Sequence, residues 1–162
     1  MEVRTAFHHV YGALRKSLLR KAIGRNSIIQ GEGTPPKIIV EGIIVCRGSL
    51  EGEEDNVEVR GNLTAENSIS IEDGSLYVHG NSQATNIEVD NSLRVRGVTK
   101  AEEIKVGGSL EAREVKGKKV SIGGKVETVE GIRAEQFEIG RRGEVLGPIH
   151  AKVVIVKQEG NC

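Results

Sequence analysis

Short runs of alternating apolar and polar residues recur along this chain, with turn residues between them. In the clearest unit, residues 92–108, Leu93 and Val95 alternate with Arg94 and Arg96, and Ile104 and Val106 alternate with Glu103 and Lys105. Period-two alternation over three or four residues marks a short strand with one buried face. Ala101 supplies a third inward position between the two runs. The frame recurs as Leu76/Val78, Ala84 and Ile87/Val89 before this unit, and as Leu110/Ala112, Gly117 and Val120/Ile122 after it. It continues as Ile132, Ala134 and Phe137/Ile139, then as Ile149, Ala151 and Val154/Val156. Upstream, Val57/Val59, Ala65 and Ile69/Ile71 fit with a two-residue insertion, and Ile38/Val40 opens a first, looser turn. From Ile69/Ile71 onward the last pair of each unit steps by 18, 17, 16, 17 and 17 residues, so the phase never slips.

Glycine punctuates the same frame. Gly42, Gly61, Gly80, Gly97, Gly131 and Gly147 lie 19, 19, 17, 34 and 16 residues apart, with Glu114 halfway across the long gap. Most close an apolar-polar-glycine phrase, as in Val59-Arg60-Gly61, Val78-His79-Gly80, Val95-Arg96-Gly97 and Val129-Glu130-Gly131. A fixed short period is the mark of a repeat architecture. Each apolar position finds an apolar neighbour only if equivalent residues of successive units stack. The expected fold is therefore all-β: a triangular β-helix of about seven 16–19-residue coils over residues 38–157. At roughly 4.8 Å between strands, that body is a rod about 30 Å long. Glycine would turn the corner after the first strand of each coil, by positive φ or by leaving out Cβ. No glycine leads into a helix or a Gly-Lys-Ser/Thr phrase, which argues against a phosphate loop. The left-handed form follows a hexapeptide rule that from Leu93 asks for apolar side chains at 99, 105 and 111. The chain has Thr99, Lys105 and Glu111, so the right-handed form is favoured and hexapeptide acyltransferases lose support.

The first residues follow a different period. Val3, Phe7, Val10, Leu14, Leu18 and Ala22 step by 4, 3, 4, 4 and 4, which predicts an amphipathic α-helix over 1–23. Arg4, Arg15, Lys16, Arg20 and Lys21 fall largely off the stripe. Residues 1–30 form this helix and its linker, 31–37 a segment stiffened by Pro35 and Pro36, and 158–162 a C-terminal tail. Against one acid, Glu2, residues 1–30 carry six bases, a net of about +5 that the remainder, at about −5, balances. Three roles stay open for the helix: a cap over the first coil, an attachment to an anionic membrane surface, or an oligomer contact. Phe7, Val10, Leu14, Arg15, Lys16, Leu18, Arg20 and Lys21 carry whichever it is.

Composition narrows the rest. Aromatics are 2% and tryptophan is absent, so Val, Ile, Leu and Ala must build the core, which thin identical layers allow. Cys46 and Cys162 make neither a disulfide framework nor a metal quartet, which points to a reducing compartment. No apolar run approaches the roughly 18 residues of a membrane span, and no signal peptide opens the chain. The expected location is cytoplasmic, peripheral at the inner face of a membrane if the helix is an anchor.

Candidate chemistry is sparse. His8 and His9 lie on the helix, and His79 and His150 take outward strand positions, where solvated surface histidines are expected. No cluster has metal-ligand spacing and no nucleophile has a base at a fixed offset, so no enzyme, cofactor or small-molecule substrate is expected. The balanced charge argues against nucleic acid as a partner. The last coil offers more. The chain stops a few residues after Val156, leaving Ile149, Ala151, Val154 and Val156 as an apolar layer with unpaired backbone. Such an edge pairs with something, most simply another copy.

The stretch from Ile139 to Val156, Ile-Gly-Arg-Arg-Gly-Glu-Val-Leu-Gly-Pro-Ile-His-Ala-Lys-Val-Val-Ile-Val, resembles the recurring phrase of the bactofilins, polymer-forming cytoskeletal β-solenoids. The resemblance implies a right-handed triangular β-helix that polymerises end to end without nucleotide and binds membrane through an N-terminal segment. It adds Val145 to the terminal layer, and also Phe137, the nearest match to a phenylalanine important for assembly in that family. An ordered helix over 1–23 departs from the family's flexible tail. Two functions follow as expectations: a self-assembling scaffold, or a non-polymerising module that recruits a cytoskeletal or cell-envelope protein through the rod or the helix.

Overall fold

The computed structural model describes the backbone of residues 13–14, 29–32, 37–40, 43–46, 48–53 and 56–157, and the side chains of 43–45, 48–52 and 56–157. Each turn of chain adds one strand to each of three ladders, and the ladders enclose the core. The first stacks Lys37–Val40, Asn56–Val59 and Ser75–Val78, then the first parts of Ser92–Lys100, Ser109–Lys116 and Lys125–Ile139, and finally Glu144–Leu146. The second stacks Ile44–Cys46, Leu63–Ala65 and Ser82–Gln83, then later parts of the long strands and the start of Ile149–Val156. The third stacks Leu50–Glu53, Ser68–Glu72, Asn86–Val89, Glu103–Val106 and Lys119–Ile122, then the ends of Lys125–Ile139 and Ile149–Val156. All of these pairings are parallel, and among the described residues only Ile29–Glu32 runs antiparallel, against Lys37–Val40.

The result is a β-solenoid of about six turns. The spacing predicts about seven, but the coil beginning at Ile38 is described only in part. Of the helix expected over 1–23, only Ala13–Leu14 falls among the described residues, as an extended pair parallel to Glu51–Gly52. The rest of that expectation, with residues 33–36 and 158–162, lies outside them.

Stacking is in register, which is why the period is visible in the sequence. Leu50, Ile69, Ile87, Ile104, Val120 and Phe137 form one buried column, and Ile71, Val89, Val106, Ile122 and Ile139 another. In the first ladder Val57, Leu76, Leu93, Leu110 and Val126 stack, beside Val59, Val78, Val95, Ala112 and Thr128.

Three sequence expectations need correction. Val129 is not the partner of Val95, because the strand carries one extra residue between Thr128 and Gly131 relative to Ala112 and Glu114. That bulge turns Val129 outward, 80% exposed, and puts Thr128 inside. Gly147 does not continue the glycine column either. It lies against Thr128, whereas Gly131 lies against Pro148. Gly131 and Gly147 both have positive φ, 105° and 127°, which an L side chain rarely adopts. The second ladder also has an inward column of which the sequence frame holds only Ile132 and Ile149, there in the place of first-strand residues: Ile44, Leu63, Ser82, Thr99, Val115, Ile132 and Ile149. Ser82 and Thr99 look like surface residues but are buried.

Candidate functional site

In the last coil, positions that are buried in earlier turns become exposed. Ile149 stacks on Ile132, Ala151 on Ala134, Val154 on Phe137 and Val156 on Ile139. Phe137 is 0% exposed and Ile139 6%, while one coil later Val154 and Val156 are 53% and 57% exposed. Val145, Ile149 and Ala151 are half-buried against the core. Of the six expected interface residues, five thus form the terminal layer. Phe137 lies beneath it, packed as a core residue.

The outward positions of this strand break the pattern of every earlier third-ladder strand. Those positions hold Asn86 and Glu88, then Glu103 and Lys105, Lys119 and Ser121, Gln136 and Glu138. In the last coil they hold Val153 and Ile155, exposed at 50% and 38%. A strand apolar on both faces is the composition of a fully enclosed strand. Leu146 is exposed nearby. These three residues escape the inward-position frame, although the four-residue apolar run itself could have revealed two of them.

Cations flank the run. Lys152 lies 3.6 Å from Glu135, and Lys157 lies 3.3 Å from Glu138. Burial opposes ionisation of Glu138, but bonds from Lys157 and Gln136 and the nearby Lys119 outweigh it and hold the carboxyl below its ordinary range.

A second polar cluster lies on the outer face of the first ladder. Glu58, almost buried, accepts from His79 Nε2 at 2.8 Å and from Arg60 Nε at 3.2 Å. The His79 and Tyr77 rings lie 4.3 Å apart, and Arg96 Nε donates to the Tyr77 hydroxyl at 2.7 Å. Beside it is an open groove of about 290 Å³ lined by Ser75, Ser92, Arg94 and Glu111 among others. His79 is therefore held in a network rather than freely solvated, while His150 is exposed. Ser75 and Ser92 in the groove lining hydrogen-bond to each other at 2.9 Å. Among the described residues, no three His, Cys, Asp or Glu side chains gather as metal ligands, and no helix is long and apolar enough to cross a membrane. Phe7, Val10, Arg15, Lys16, Leu18, Arg20 and Lys21 lie outside the described residues, and of Leu14 only the backbone, beside Gly52, is described.

The fold defines a β-solenoid protein. No family model, curated protein or solved structure matches this chain.

Proposed function

We propose that this chain is a self-assembling structural scaffold whose rods join end to end through the last coil, without nucleotide, in the manner of the bactofilins it resembles. The observation carrying the reading is the strand from Val153 to Val156, apolar on both faces and 38–57% exposed. Its edge and its terminal layer together offer what one more coil would cover, and a second copy supplies matching short parallel strands. The finer form of the reading is a right-handed, triangular rod of seven coils, with the N-terminal helix as a cap, an oligomer contact or a hold on an anionic membrane. The protein then works in the cytoplasm, at the inner membrane face if the helix binds lipid, and catalyses nothing.

A concentration series by electron microscopy and light scattering tests this. Filaments or sheets that lengthen with concentration are expected from the parent chain. In Val154→Asp or Ile149→Lys, a charge inside the dry junction should cost about 3 kcal/mol, raising the assembly concentration roughly 100-fold with the circular dichroism of the fold unchanged. A constant small mass in the parent, or assembly unchanged in both variants, contradicts end stacking and leaves the recruitment module as the better reading.

A further inference from the structure

The chain's overall neutrality conceals a rod with opposite charge in its two halves. Residues 37–91 hold three Lys and Arg against eleven Asp and Glu, whereas residues 92–157 hold fourteen against nine. The segregation is sharpest at one corner, where the third ladder ends. There Asp90, Gly107, Gly123, Gly140 and Lys157 succeed one another turn by turn, each donating its backbone N–H to the carbonyl one turn back, from Ile71 to Ile139. Glu72 stands one turn before Asp90, since it follows Ile71 as Asp90 follows Val89, and Ile71 and Val89 are register partners.

Along this edge, Glu72, Asp73 and Asp90 are exposed at one end, and Arg141, Arg142 and Lys157 at the other. Among the described residues, neither Glu72 nor Asp73 has a basic partner. Between the two ends the edge is bare backbone. A Cβ at Gly107, Gly123 or Gly140 would run into the carbonyl oxygen of Asp90, Gly107 or Gly123 in turn. A glycine edge lets another chain approach closely. Close approach matters because charges two coils apart along the rod, about 10 Å, are already screened over the roughly 8 Å Debye length of physiological salt. Only charges brought face to face contribute.

Rows on either side of Gly107 match in number. Glu72 and Asp73 stand two turns before it, and Arg141 and Arg142 two turns after it. We infer that two copies of this chain pack side by side and antiparallel along this corner, on a two-fold axis at the Gly107 row, with Glu72 and Asp73 of each copy facing Arg141 and Arg142 of the other. An isologous contact of this kind satisfies both ends at once. It uses a different surface from end stacking and does not depend on it. In a filament it would repeat along the length and so pair filaments by avidity.

Sedimentation of the full-length Val154→Asp chain in low salt isolates the side contact. A dimer is expected, with a dissociation constant that rises about tenfold in Glu72→Lys and again in Arg141→Glu/Arg142→Glu made separately. The decisive arm mixes those two variants in equal amounts. In the heterodimer the lysine introduced into one copy would face the two glutamates introduced into the other. At the opposite end the unaltered Glu72 would face unaltered arginines, so dimerisation should return to the parent level. A monomeric Val154→Asp parent at all concentrations, unchanged affinity in the separate variants, or failure of the mixture to recover overturns the side contact. A wild-type chain that still forms filaments in those cases leaves end stacking intact, whereas dimers without filaments in the wild type refute end stacking alone.

Discussion

Ser82 and Thr99 place two hydroxyl groups next to each other inside a column otherwise built from Ile, Leu and Val. Neither oxygen has a hydrogen-bond partner among the described residues. An unpaired buried hydroxyl costs about 1–3 kcal/mol, so Thr99→Val, which keeps the shape, should raise stability by about 1 kcal/mol in urea melts. A fall in stability would mean that the hydroxyl has a partner. Glu114 is the opposite case. It pairs with Val98 on the turn before and with Gly131 on the turn after, and its nearly buried carboxylate lies 2.9 Å from Lys116 and 3.2 Å from Arg133. The hydrogen bond to Lys116, and after it these cations, outweigh burial and lower its pKa. A carboxyl depressed in the folded state stabilises the fold above its unfolded pKa, and that stability is lost as pH falls through the folded value. Glu114→Gln should therefore be less stable than the parent at neutral pH, and the gap should close as the solution is acidified below about pH 4. A gap that stays constant from pH 7 to the acid limit contradicts the ion-pair account.

At the scale of the element, each strand is too short to be stable alone, and register with the strands before and after it does the work. This explains which features were legible in the sequence. Leu93/Val95 and Ile104/Val106 announced strands because one face is buried and the other wet. Val129 misled because one residue inserted before Gly131 puts the apolar-polar-glycine phrase out of step with the inward positions Val126 and Thr128, and no local signal marks a bulge. Ser82 and Thr99 were missed because a polar residue at an inward position reads as an outward one. The terminal layer was legible as Ile149, Ala151, Val154 and Val156, whereas Val153 and Ile155 become notable only against the polar residues of the strands they stack on. Phe137 belongs to the element beneath. Phe137→Ala should cost about 3–5 kcal/mol of stability, measured by chemical unfolding. Phe137→Leu should fold and assemble at a concentration within about twofold of the parent, since the larger-to-smaller apolar change is made below the junction rather than in it. A large assembly defect in well-folded Phe137→Leu would place that side chain in the interface.

Across the whole molecule, a core nearly free of aromatics holds because every layer repeats the one below. Exposed ion pairs also join neighbouring turns, as Arg94–Glu111, Lys105–Glu88, Arg113–Glu130 and Lys118–Glu102 do. Each contributes at most about 1 kcal/mol, so they tune the rod rather than hold it. Net charge could not disclose the acidic and basic halves, because a sum over the chain discards position. The turn-by-turn stacking restores position and turns a neutral composition into an edge with two signs. The same stacking leaves Val153–Val156, the last described strand segment, exposed. Amide hydrogen exchange read by mass spectrometry, at dilute and concentrated protein, examines that segment directly. Lys157 donates back to Ile139, so along this parallel strand the Val153 and Ile155 amides also face the turn beneath and those of Val154 and Val156 face away. End-to-end assembly predicts slow exchange at Val154 and Val156 that appears only as the particle mass rises, while the strands beneath are protected at both concentrations. A rise in mass with the Val154 and Val156 amides still exchanging freely would show that the rods join somewhere else.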